Sequence, residues 1–142
     1  MIKEGLFREL VLQARIENIS RATDFINEQL KEYSCSVRTL SQIDIAIDEL
    51  FSNIAQYTYD KGEGEVVIRF SYDDATHMAT IVFIDQGIPF DPLKQEDPDI
   101  SVPAKERKIG GLGIFLVKKI MDHITYHYED GKNILTIKKK IS

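Results

Sequence analysis

The stretch Gln42–Tyr59, QIDIAIDELFSNIAQYTY, organises the chain. At about 100° per residue, Leu40, Ile43, Ile47, Leu50, Phe51 and Ile54 fall on one face of a helix. Glu49 and Asn53 lie four residues apart, so they stack one turn above the other beside that face, where a helix borders a cleft. A carboxylate and a carboxamide so placed reach one hard cation or one polar ligand. On its own E-x-x-x-N also describes many solvated helix surfaces, so its meaning depends on what the rest of the chain brings to it.

Upstream, Leu6 to Gln13 alternates as a strand, with Leu10 and Leu12 on one face and Phe7 and Val11 on the other. Asn18 or Ser20 caps a helix expected to run to about Tyr33, with Ile19, Ala22, Phe25, Ile26 and Leu30 as its buried stripe. Thr39-x-x-Gln42 has the pattern of a capping box and marks the expected start of the central helix, which gives way near Asp60-Lys61-Gly62. Downstream, Val66, Ile68, Phe70 and Tyr72 alternate with wetter residues, and Ala79 to Ile84 is apolar on both faces, as in a central strand. The turn-rich Asp85-Gln86-Gly87-Ile88-Pro89-Phe90-Asp91-Pro92 follows. Leu93 to Lys108 is polar and aperiodic, a lid-like loop. Gly110-Gly111-Leu112-Gly113 then opens a helix, and a hairpin across Asp130-Gly131 closes the chain. The order β-α-α-β-β-loop-α-β-β is not a regular βαβ alternation. It indicates an α+β fold of two layers, a mostly antiparallel or mixed sheet with helices on one face.

With 142 residues, 43% hydrophobic and 29% charged, one domain with its own core over residues 1–142 is expected. The net charge of −5 argues against nucleic acid or anionic membrane as the main partner. Lys138-Lys139-Lys140 reads as a solvated strand edge. The single cysteine, Cys35, makes no internal disulfide, the charged N-terminus carries no signal peptide, and no apolar run approaches the ~20 residues of a membrane span. A cytoplasmic protein is expected. His77, His123 and His127 form no plausible metal cluster.

Three stretches can carry chemistry. Asn53 can offer its amide oxygen to Mg²⁺, and Glu49 can orient or deprotonate an attacking hydroxyl or water. Asp85-x-Gly87-x-Pro89-Phe90 is either a strand-ending turn or a base-binding corner. In the latter, a carboxylate accepts from an exocyclic amine and Gly87 lets a planar ring approach the backbone. Gly110-Gly111-Leu112-Gly113 is either a flexible joint or a phosphate site at a helix N-terminus, and it is neither a P-loop nor a Rossmann fingerprint.

In this order, E-x-x-x-N, D-x-G-x-P-F, a polar lid and GGLG, the chain resembles the ATP-binding domain shared by histidine kinases, Hsp90-type chaperones, type II topoisomerases and MutL-type repair proteins. It is most similar to the single-domain bacterial anti-sigma factor serine kinases, above all in DQGIPFDP and GGLGIFLVKKIMD. The resemblance implies that Asn53 binds Mg²⁺, that Glu49 is the catalytic base and that Asp85 takes the adenine amino group with Gly87 beside the ring. It implies that Gly110, Gly111 and Gly113 lie against the phosphates of ATP, and that Arg107, in a lid over residues 93–109, reaches the terminal phosphate or a partner. Relatives often carry His-Gly where this chain has Tyr57-Thr58.

The function implied is an ATP-dependent serine/threonine protein kinase in a partner-switching circuit. It would sequester a sigma factor and phosphorylate a serine of an anti-sigma antagonist. Because such proteins are typically dimers, a homodimer is a further expectation. The competing reading is a nucleotide-gated binding module with little or no phosphotransfer, and Glu49 argues for the enzyme. A fragment of a histidine kinase or topoisomerase is disfavoured, because no phospho-acceptor helix accompanies the domain and the first strand and helix look like a complete start.

Overall fold

The computed structural model describes residues 6–59, 63–94 and 112–141. Strand β1 (Arg8–Gln13) is followed by helices α1 (Ile19–Leu30) and α2 (Val37–Asn53), then by strands β2 (Glu65–Asp73) and β3 (Met78–Asp85). Helix α3 (Leu112–Ile120) precedes strands β4 (His123–Glu129) and β5 (Lys132–Lys140). The five strands form one sheet in the order β1-β2-β3-β5-β4, and every pairing is antiparallel. The α+β expectation holds, and the choice between mixed and antiparallel falls to antiparallel.

Strand alternation builds the core. Val66, Ile68, Phe70 and Tyr72 of β2, Ala79, Ile81 and Phe83 of β3, and Leu135 and Ile137 of β5 are all buried on the helix-covered face. Ile43, Ala46, Ile47, Leu50 and Phe51 of α2 meet them, as the helical period requires. Each such aliphatic or aromatic side chain contributes about 1.5–3 kcal/mol by leaving water.

Three local expectations are corrected. Helix α2 begins at Val37, because Ser36, in extended backbone, accepts from the Thr39 N–H at 3.1 Å and caps it. Gln42 therefore lies well inside the helix, out of reach of a capping box. Asn18 precedes α1, but its side chain donates to the Gln13 carbonyl at 2.9 Å rather than capping, and α1 ends at Leu30, short of Tyr33. Lys138–Lys140 is no sheet edge, since β5 runs between β3 and β4. Lys139 donates to the Ile120 carbonyl at the end of α3, 2.7 Å away, where a cation complements the helix dipole.

The final hairpin turns at Asp130 and Gly131, both with positive φ (53° and 75°), the pairing a two-residue turn of matching twist needs. Helix α2 does not stop at Asn53. It widens into a π-helical turn over Ile54–Thr58, a rare geometry that accompanies functional sites more often than chance.

Candidate functional site

The same alternation that makes Ile81 and Phe83 core places Asp85, two residues further along β3, at the end of the buried face. The register sets Asn133 of β5 directly opposite it. On α2, the stripe through Leu50 ends at Asn53, and the π turn brings Thr58 beneath the same corner. Among the described residues the buried polar side chains are Gln29, Asn53, Thr58, Asp85 and Asn133. All but Gln29 line one pocket, closed by Leu50, Phe90 and Tyr126. A core that gathers its polar groups at one end is building a site there.

Asp85 is 2% exposed. Its Oδ1 accepts from Asn133 Nδ2 at 2.8 Å and from the Gly87 N–H at 2.9 Å. Burial pushes its carboxyl above the ordinary carboxylate range, and the hydrogen bonds from Asn133, Gly87 and Thr58 draw it back part of the way. The Thr58 hydroxyl also reaches the Ile54 carbonyl at 2.8 Å; with one hydrogen it donates to one acceptor at a time.

The reason for a glycine at 87 differs from the one read in the sequence. A side chain there would collide with the Thr58 carbonyl, which accepts from the Ile88 N–H at 2.8 Å. The glycine lets the π turn close onto the loop after β3. Tyr59 adds a clasp, its hydroxyl donating to the Glu65 carbonyl and accepting from the Gln86 N–H, each at 2.7 Å.

Asn53 is 8% exposed, and its Nδ2 is buried without a hydrogen-bond partner among the described residues. An unpaired buried amide costs about 1–3 kcal/mol, and this N–H donor calls for an acceptor that the described residues do not supply. Glu49, one turn earlier, does not share the Asp85 pocket. Its carboxylate rests against Gly113 in the first turn of α3, where a side chain would collide with it. Burial, with Asp48 adding to it, raises the Glu49 carboxyl. An amide oxygen and a carboxylate one turn apart are hard-oxygen donors of the kind Mg²⁺ takes, so the residues present fit that ion.

Asn53, Asp85, Gly87, Glu49 and Gly113 thus gather around one end of α2, in two adjoining parts. Arg107, Gly110 and Gly111, with most of the expected lid, lie outside the described residues. His77 bonds the Tyr72 hydroxyl at 3.2 Å, and His123 and His127 lie on β4. Tyr57 stacks on Phe90 with ring centroids 5.1 Å apart.

Sequence reading missed Asn133, Thr58 and Tyr126. Asn133 had a signal: it precedes Leu135 and Ile137 at period two, a polar residue on a core-facing strand position. The cavity these groups line is about 10 Å³, enough for one water and far below the ~300 Å³ of small ligand pockets. Two of its walls are neither α-helix nor strand, the π turn at Ile54 and Thr58 and the segment Phe90–Pro92. A larger concavity, about 590 Å³, lies elsewhere, on the sheet face away from the helices, over Val67, Ile84 and Ile134.

Residues 12–139 match the family described as histidine kinase-like ATPase domain. This chain belongs to that family. Among curated relatives of this ATPase domain, the serine-protein kinase RsbW of Bacillus cereus is 34% identical over 104 residues, covering 70% of this chain and 63% of the relative. The protein of the same name from Bacillus thuringiensis matches equally well. The chain thus spans less than two thirds of these relatives. Among solved structures, that of the RsbU and RsbW domains of a Mycobacterium tuberculosis protein superposes with a TM-score of 0.64 at 14% identity, covering 94% of this chain and 32% of that one. The histidine kinase domain of a blue-light activated kinase from Erythrobacter litoralis gives 0.56 at 16% identity, over 89% of this chain and 60% of that one. These structures share the fold. Among the described residues, no helix is long and apolar enough to cross a membrane.

Proposed function

We propose that the chain is an ATP-dependent serine/threonine protein kinase acting as an anti-sigma factor in a partner-switching circuit, with a serine of an antagonist protein as phosphoryl acceptor. The observation that carries this is the convergence of an unpartnered amide, Asn53, and a pinned carboxylate, Asp85, on one pocket, with Glu49 at the adjoining start of α3. The names of the Bacillus relatives support the reaction class.

Asp85 accepts the amino group of adenine. Asn53, with Glu49 near it, holds Mg²⁺, whose contribution is to neutralise phosphate charge. The N-terminal turn of α3, where Gly113 stands, would receive the phosphates, with Gly110 and Gly111 and, for the terminal phosphate or a bound partner, Arg107 as further proposed contributors. Glu49, with a carboxyl raised by burial, takes the proton of the attacking seryl hydroxyl as the new P–O bond forms and the bond to ADP breaks.

The test is transfer of radiolabel from γ-labelled ATP to a candidate antagonist. Glu49→Gln should retain nucleotide and lose transfer. Transfer at the wild-type rate would remove Glu49 from the role of base. A nucleotide-gated binding module is the second reading, since binding needs Asn53, Asp85 and the glycines but no base, and Glu49 lies outside the pocket that Asn53 and Asp85 line. ATP retention by wild type with no transfer to any antagonist would select it.

The open sheet face supports a homodimer. Val11, Val67, Ile84 and Ile134 are aligned across four strands by the register, with Glu65 and Glu129 toward one end and Lys138 and Lys140 toward the other. Lys132 beside Glu129 and Asp73 near Lys140 mix the charge at both ends, so face-to-face packing of two copies rests on the apolar row. Sedimentation of a Val67→Lys variant, expected to be monomeric against a dimeric wild type, tests this.

A further inference from the structure

Asn133 makes four side-chain hydrogen bonds at the corner of the site. The side chain is 3% exposed. Its Nδ2 donates to Asp85 Oδ1 and to the Ile88 carbonyl, each at 2.8 Å. Its Oδ1 accepts from the Phe90 N–H at 3.1 Å and, through a short hydrogen bond, from the Tyr126 hydroxyl. A carboxamide has two donor hydrogens and two acceptor lone pairs, and all four are engaged. Turning the amide over would face its oxygen toward a carboxylate and a carbonyl, and its NH₂ toward two donors. The orientation is therefore fixed chemically.

Two consequences meet in this one side chain. Asn133 and Gly87 both bond Oδ1 of Asp85, and Thr58 adds a further donor to the carboxylate, so its orientation is held by the fold. Asn133 also ties Ile88 and Phe90, in the loop after β3, to strand β5.

We propose that Asn133 is a positioning residue for base selection: by pinning Oδ1 of Asp85 and the Ile88–Phe90 wall together, it makes Asp85 discriminate a 6-amino purine from a 6-oxo purine. This rests on the reading of the pocket as a base site. An ionised carboxylate has only acceptors, so it rewards an amine and opposes a carbonyl, but only while its position cannot adjust. Held at one oxygen by two donors, Asp85 cannot swing away from a 6-oxo group. Released from Asn133, it can rotate and admit water, and the penalty against the wrong base shrinks. The charged and titratable groups that face it are Tyr59 and Tyr126, with Asp91 beside Tyr126.

The experiment measures dissociation constants for ATP and for inosine triphosphate, which carries oxygen in place of the amine, in the full chain with Mg²⁺. Wild type is expected to prefer ATP by roughly 100-fold or more. Asn133→Leu should reduce that ratio roughly ten-fold, the loss of one hydrogen bond to a charged group, mainly by relieving the penalty on inosine triphosphate. Tyr126→Phe, which removes one of the four bonds and leaves the amide in place, should move the ratio in the same direction by less, and it stands in if Asn133→Leu does not fold. A purely structural role would weaken both nucleotides equally, and an unchanged ratio in both folded variants overturns the proposal. If wild type binds ATP and inosine triphosphate alike, the base-pocket reading itself falls. If wild type discriminates and the variants do too, only the role of Asn133 falls.

Discussion

The carboxylate of Glu49 and the Cα of Gly113 share a space that admits no methyl group between them. Two elements far apart in sequence, the body of α2 and the first turn of α3, thereby set each other's position where phosphate chemistry is proposed. Gly113→Ala is the direct probe. Alanine favours a helix by about 0.8–1 kcal/mol over glycine, so α3 is not weakened by propensity. The added carbon must instead displace Glu49. Phosphotransfer should fall at least ten-fold, the lower bound for misplacing a catalytic group, with ATP affinity changed far less. Single-turnover transfer beside equilibrium titration separates the two.

Asn53 offers a test in which stability and function part. Its Nδ2 is buried and unpaired, so Asn53→Ala removes a group that costs about 1–3 kcal/mol and loses a similar amount of packing. Without nucleotide, urea midpoints of wild type and variant should agree within about 1 kcal/mol. The stabilisation from saturating Mg-ATP, about 2.7 kcal/mol at one hundred times Kd, should be present in wild type and absent in the variant. A variant still stabilised by Mg-ATP would contradict the assignment.

Gly87→Ala carries the opposite expectation. A methyl at that position strikes the Thr58 carbonyl and forces apart the bond from Ile88. The cost should be about 1–3 kcal/mol of unfolding free energy, as for other overpacked sites. Urea denaturation without ligand would show it, and an unchanged midpoint would mean that the π turn yields freely.

The raised carboxyl of Glu49 gives a pH dependence of defined sign. Its folded pKa lies above its unfolded one, so its contribution to stability is fully present below the unfolded value of about 4.3 and is lost as pH rises through the folded value. Glu49→Gln abolishes that loss. The melting temperature of the variant relative to wild type should therefore climb between acid and neutral pH. A constant difference from pH 4 to pH 8 would show that the carboxylate pays no desolvation cost.

Much of this was legible in the sequence because hydrophobic alternation and helical period act locally. The strands around Ile68, Ile81 and Ile137 and the stripe from Ile43 to Ile54 follow from side-chain spacing alone. Asn53 and Asp85 were legible for the same reason, as polar residues ending apolar patterns. What escaped was set by pairing. Asn133 acquires its role only because β5 runs beside β3 in a register that puts it opposite Asp85, and β4 lies outside both. The lysine run was misread as an edge on the same account. The start of α2 depended on whether Ser36 or Thr39 held the capping geometry, a choice between two good caps that composition does not make.

The π turn at Ile54–Thr58 bears on which changes of chain length the protein can accept. Deleting one residue there would let the segment relax into ordinary α-helix, which by local energetics is a gain. Every residue after the deletion would then turn by about 100° around the axis, carrying the Thr58 carbonyl away from Ile88 and Tyr57 away from Phe90. A substitution in this segment can be absorbed side chain by side chain, whereas a one-residue indel detaches the helix from the loop after β3. Natural variation at this turn should therefore run through residue identity and not through length, which would make these five positions a rigid ruler inside an otherwise adaptable helix.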